Sequence, residues 1–308
     1  MNAKGVNKMK KIFIIIVLLL ITGCQSSKEG KINIITTNYP SYDFARAITK
    51  NDKEVNIKML IKPGTDLHDF EPTPKNIIEI NKSDMFIYVG GESDEWVNNI
   101  IKKINPKKTK IIKLMDLTSL KFEEKTKGME GKEEKEYDEH IWTSPIKSIE
   151  IINKLKKEIM KINNNQTYEI NTKEYISKIE KIDNQIKNII YTSKRQEIIF
   201  GDRFPLQYFA DEYNLKYYAA FPGCSHQTEA SSKTISFLID KVKTDNIPVV
   251  FHIEQSNKKI AKEIAKETGA KVLEFNSAHN ISEKDFKKGI TYVDIMNKNI
   301  KALKEALN

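Results

Sequence analysis

Only two cysteines, two tryptophans and five histidines occur in 308 residues. Two cysteines cannot build a disulfide framework, so the chain must hold itself together through its core. Neither Cys-x-x-Cys nor His-Glu-x-x-His is present, which excludes a compact local metal motif. No apolar run approaches the roughly 20 residues that a membrane-spanning helix needs; the longest, Ile12 to Ile21, has ten. Nor is there a concentrated basic patch. The net charge is +9, but lysines are interleaved with aspartates and glutamates along the chain, and phosphate binding needs them gathered on one face. No nucleic-acid partner is expected. What is there is a 39% hydrophobic composition over a length sufficient for one large or two medium domains.

The first 24 residues differ from the rest. Lys4, Lys8, Lys10 and Lys11 precede the ten-residue apolar run, which has the size of a secretory signal core rather than of a membrane span. The run closes on Ile21-Thr22-Gly23-Cys24, which resembles the lipobox of bacterial lipoproteins. Residues 1–24 are therefore expected to be a lipoprotein signal peptide ending at a lipidated Cys24, and residues 25–31 a polar linker. The expected location is the outer face of the bacterial cell membrane. With Cys24 carrying lipid, Cys224 has no intrachain partner.

Beyond the linker, β-rich runs alternate with helical stretches, which predicts an α/β architecture with mainly parallel sheets. Ile32 to Thr36, Val55 to Leu60, Asp84 to Val89 and Lys110 to Leu114 read as strands of a first lobe, 32–165. Glu197 to Gly201, Lys216 to Ala219, Pro248 to Ile253 and Lys271 to Phe275 read as strands of a second, 196–308. Each lobe thus has a four-stranded sheet flanked by helices. Between them, 166–195 is expected to be one long rigid helix. Tyr175, Ile179, Ile182, Ile186 and Ile189 recur at helical spacing after Asn171-Thr172-Lys173-Glu174, which reads as a capping box. Glu123 to Glu139 is dominated by Glu and Lys and reads as a solvated, mobile loop.

Four candidate ligands sit where the chain leaves a strand or enters a helix, the edge at which open α/β sheets place ligands. His68 lies in a Pro/Gly-punctuated loop after a strand, His140 ahead of a helix, Asp202 at the end of a strand, and His279 after the last strand. A borderline-soft divalent cation takes imidazole nitrogen and carboxylate oxygen in a four-coordinate cage. Taken singly, each of these residues also fits a surface or capping role.

The ordered set Tyr39-Pro40, Pro63-Gly64-Thr65-Asp66-Leu67-His68, Glu71-Pro72-Thr73-Pro74, Asp138-Glu139-His140-Ile141-Trp142 and Tyr208-Phe209-Ala210-Asp211-Glu212-Tyr213 resembles the zinc/manganese ABC-transporter solute-binding proteins. Thr291-Tyr292-Val293-Asp294-Ile295-Met296 resembles the last helix of that family, so the likeness spans the mature chain. The resemblance implies two α/β lobes, one metal between them, and His68 and His140 as the first two ligands. With strand ends aligned and one extra residue allowed, Asp202 takes the third position. With Tyr208-Phe209-Ala210 aligned without a gap, Arg203 falls there, and a guanidinium cannot ligate a cation. Asp202 is therefore expected as ligand and Arg203 as a neighbour orienting a carboxylate such as Glu254. His279 is expected as the fourth ligand, with His252 and Glu254 in reserve, and His226 at the surface.

Three imidazoles and one carboxylate favour Zn2+, while the absence of histidine from the Glu/Lys-rich run leaves Mn2+ or Fe2+ as alternatives. The expected function is metal capture for an ABC-transporter membrane permease by a monomer held to the bilayer through Cys24. A surface adhesin that keeps metal binding is one alternative. A zinc-dependent hydrolase with Glu254 as base is another, but no substrate-positioning motif accompanies it.

Overall fold

A computed structural model describes residues 31–65, 70–130, 136–223, 225 and 229–308. The leader with Cys24, most of the linker, and His68, Cys224 and His226 lie outside the described residues.

All eight expected strands form: β1 (Ile32–Thr36), β2 (Val55–Met59), β3 (Met85–Tyr88), β4 (Lys110–Lys113), β5 (Glu197–Phe204), β6 (Lys216–Pro222), β7 (Val249–His252) and β8 (Lys271–Glu274). They make two parallel sheets of the same topology, β2-β1-β3-β4 and β6-β5-β7-β8. The central strands β3 and β7 are buried along their whole length, which explains their unbroken apolar sequences. One difference from expectation matters for the site. β5 does not end at Gly201; its pairing with β6 shifts register after Phe200 and resumes at Arg203↔Phe221 and Phe204↔Pro222. A Cβ on Gly201 would lie 2.4 Å from the Ala261 backbone, so the strand passes there too close to its neighbouring helix for any side chain.

Adjacent strand residues point to opposite faces, and this divides the core. Ile35 and Phe86 face α2 (Pro74–Lys82) and α3 (Glu95–Ile101), packing on Ile80 and Val97. Ile199 and Val250 face α7 (Ser232–Thr244) and α8 (Lys259–Thr268), packing on Leu238 and Ile264. The opposite faces, represented by Ile34, Ile87, Phe200 and Phe251, join one continuous core with α1 (Tyr39–Ile48), α4 (Pro145–Met160), α5 (Thr167–Thr192) and α10 (Tyr292–Leu307).

Helix α5 is the expected long helix, 26 residues and about 39 Å at 1.5 Å per residue. Tyr175, Ile179, Ile182, Ile186 and Ile189 form its buried face as the spacing predicts. The helix starts five residues before the expected cap at Asn171–Thr172. Asn165 accepts from the Thr167 amide at 3.0 Å, while Asn171 lies inside the helix and donates to the Ile48 and Lys50 carbonyls at the end of α1.

The Glu/Lys-rich run also departs from its reading as a solvated loop. Its stem closes as an antiparallel bridge between Phe122 and Tyr137, whose rings stack at 4.4 Å. Met129 is buried, the Glu130 amide donates to the Ala220 carbonyl at 3.0 Å, and Thr234 Oγ1 donates to the Gly128 carbonyl at 2.9 Å. The described part of the run is thus laid across the second sheet and α7. Its polar composition gave no sign of this because backbone groups make most of the contacts.

Candidate metal centre

Parallel strands of both sheets open their carboxyl ends onto one cleft. Thr65 and His140 line it from the segment of the first sheet, and Arg203, Glu254, His279 and Asn280 from that of the second. His140 precedes a short 3-10 turn, Ile141–Thr143, that leads into α4, capped by Ser144. The ring is fully buried, and its Nδ1 lies 2.7 Å from Asp138 Oδ1, which also accepts from the His140 amide at 2.9 Å. With Nδ1–H given to a carboxylate, the lone pair is left on Nε2, the arrangement of a metal-binding histidine. Nε2 is buried and has no hydrogen-bond partner. Burial lowers the His140 pKa, but Asp138 and then Glu139 outweigh it and hold it above the ordinary 6.5.

His279 arrives from the loop after β8. Ala278 before it has φ +58°, an unusual backbone for a residue with a side chain. The loop is fixed by Glu254, which accepts from the Ser277 amide and hydroxyl at 2.6 Å each and from the His279 amide at 3.1 Å. Burial pushes the Glu254 carboxyl up from its ordinary value. Trp142 Nε1–H donates to the Ser277 carbonyl at 2.8 Å, so the His140 segment and the His279 loop are bonded to each other. The two imidazoles meet with centroids 4.9 Å apart, nearly perpendicular.

Glu139 completes the cluster. Its Oε1 is 3.5 Å from His279 Nε2, and donor atoms of Glu139, His140 and His279 all lie within 4.8 Å of one another. Glu139 is buried, accepts from the Ser93 amide at 3.0 Å and from the Ser93 hydroxyl, and burial pushes its carboxyl up to about 7 against the pull of His140 and Ser93.

Asp202 lies within β5 rather than beyond it; its Oδ1 accepts from the Arg203 amide at 2.8 Å, and its buried Oδ2 has no hydrogen-bond partner. Arg203, not Asp202, lines the cleft, and its Nη1 donates to the Ser225 carbonyl at 3.4 Å. His252 is buried at the end of β7 with Nδ1 2.7 Å from the Ile253 carbonyl, and is not among the residues lining the cleft. His68 lies outside the described residues; Thr65, which precedes them, is held at the cleft by Asn280 Nδ2, 2.5 Å from its carbonyl. Sequence reasoning missed Glu139 because it closes a run of glutamates and lysines. Its one signal was its place between a histidine-orienting aspartate and the histidine itself.

Residues 34–306 match the family described as zinc-uptake complex component A, periplasmic (ZnuA). The chain belongs to the ZnuA family. It is 31% identical to the high-affinity zinc uptake system protein ZnuA of Bacillus subtilis over 303 residues, covering 92% of this chain and 90% of that one. It is 29% identical to the zinc-binding lipoprotein AdcA of Streptococcus pneumoniae over 309 residues, but spans only 61% of that protein's length. The Zn(II)-bound ZnuA-like domain of S. pneumoniae AdcA superposes with a TM-score of 0.75 at 28% identity, covering 90% of this chain and 99% of that domain. As a ZnuA-family member the chain has the family's two-sheet architecture, and its cleft gathers imidazole and carboxylate, the donors that zinc favours.

Proposed function

We propose that the chain captures one Zn2+ in the cleft between its two sheets and delivers it to the permease of an ABC-type importer, as the extracytoplasmic, lipid-anchored component. The observation that carries this reading is the meeting of His140 and His279, from opposite sides of the cleft, with His140 Nε2 buried and unbonded. A buried polar atom without a partner is costly in a protein that only folds, and is explained in one that receives a cation there. His68, His140 and His279 supply the imidazoles; the fourth donor is a carboxylate. The ZnuA family match and the zinc named for its relatives support the choice of metal over Mn2+ or Fe2+. Capture and release make and break coordination bonds to the ion and require no covalent chemistry on a substrate.

Purified chain from residue 25 onward, stripped by chelator and reloaded, is expected to hold one zinc per chain by mass spectrometry. His140→Ala and His279→Ala should each weaken binding by more than the 10- to 100-fold that follows loss of an outer hydrogen-bonding partner. Near-zero zinc in the wild type, or wild-type affinity in both variants, would sink the reading. The anchor rests on the basic leader, the apolar run and Cys24. Cys24→Ser should leave the protein unlipidated and released into the soluble fraction, because only the thiol accepts the lipid; membrane retention of that variant would contradict it.

A further inference from the structure

We propose that Glu139 is the carboxylate that binds the captured cation directly, aimed by a cradle made of Gly91 and Ser93. The assignment rests on the zinc-capture reading and adds the donor that the family resemblance placed at Asp202.

Consecutive residues divide the work. Asp138 commits Oδ1 to the backbone and ring nitrogens of His140 and so orients the imidazole. Glu139 turns instead toward Gly91 and Ser93, where two hydrogen bonds fix its carboxylate while leaving lone pairs facing His279. A buried carboxylate accepts up to about four hydrogen bonds, so the two from Ser93 do not exhaust it. Its 3.5 Å separation from His279 Nε2 is the spacing of two donors on one tetrahedral zinc, about 3.4 Å for bonds near 2.1 Å. The third donor of the cluster, His140 Nε2, is the buried atom with no partner. Four-coordinate zinc centred among these three leaves one position for a further donor.

The cradle is built around the carboxylate. Gly91 has φ +80°, which favours glycine, and a Cβ there would lie 2.5 Å from Glu139 Oε2 and 2.6 Å from Glu139 Cβ. Conformation and space therefore both demand glycine at this place. Asp202 sits inside a strand and has no donor atom in the cluster that Glu139 forms with His140 and His279.

The discriminating variant is Glu139→Gln, which keeps the shape, can accept from the Ser93 amide through its oxygen and donate to the Ser93 hydroxyl through its NH2, but removes the charge. Zinc affinity is measured by competition with a chelating dye, and coordination by the visible spectrum of Co2+-loaded protein. Glu139→Gln is expected to lose at least 100-fold in affinity and to change the Co2+ band positions, with Asp202→Asn losing at least tenfold less. Should Glu139→Gln fail to fold, Glu139→Asp decides, because a carboxylate drawn back by one methylene must also weaken zinc and shift the spectrum. Wild-type protein that binds zinc, with affinity within threefold and an unchanged spectrum in the folded Glu139 variant, overturns this assignment alone. Wild-type protein that binds neither metal overturns the capture reading with it.

Discussion

Asp138 decides which face His140 shows the cleft. Without its carboxylate the ring loses the partner that holds Nδ1 as donor, and the proton can move to Nε2 or the ring can turn. Asp138→Asn is expected to weaken zinc about tenfold, at the lower end of the range for such partners because an amide oxygen still accepts, with an unchanged melting profile. Unchanged affinity would mean the bond is structural only. The places of His140, ahead of a helix, and His279, after the last strand, were legible, and both line the cleft. Glu139 was hidden by its composition, since nothing in a run of Glu and Lys says which carboxylate turns inward. Asp202 was misplaced for a geometric reason: Gly201 marks a bulge under Ala261, not the end of the strand, so the residue after it is still in the sheet.

Among the elements, α5 was legible through its periodicity, but its capping residues were not. Asn-x-x-Glu is a capping pattern only when the asparagine amide and carbonyl are not needed elsewhere, and here Asn171 is used to fasten α5 to the end of α1. The true start is secured by Asp52, which accepts from Tyr168 Oη at 2.6 Å, Asn165 Nδ2 at 2.9 Å and Asn163 Nδ2 at 3.0 Å. Burial would raise the Asp52 carboxyl, but these bonds outweigh it and hold it below the ordinary 3.8. Unfolding returns it to that value with uptake of protons, so its contribution is complete above about pH 4 and is lost as pH falls through the folded value. Asp52→Asn should cost about 1 kcal/mol in urea denaturation at pH 7, and the gap to wild type should narrow as pH drops below about 4. A gap that does not change with pH would show that the charge plays no part.

At the scale of the whole molecule, the two parallel sheets were legible because alternating apolar runs and helical stretches leave few other topologies. Their meeting was not. That Trp142 bonds to Ser277, Tyr292 Oη to the Trp142 carbonyl, and Tyr39 Oη to the Ile290 carbonyl are facts of tertiary approach that no local pattern carries. The same holds for the run from Lys121 to Glu130, which reaches over to Tyr208, Gln207 and Ser231.

The clamp that Trp142 and Glu254 place on the His279 loop bears on rates as well as affinity. Two imidazole-bearing segments already fastened together lose little chain entropy when an ion arrives, so binding draws nearly undiminished on the coordination bonds. What favours entry in this way opposes departure. On the zinc-capture reading, an ion seated in this prepared cage leaves slowly on its own, and faster from any state in which the Trp142–Ser277 bond is broken.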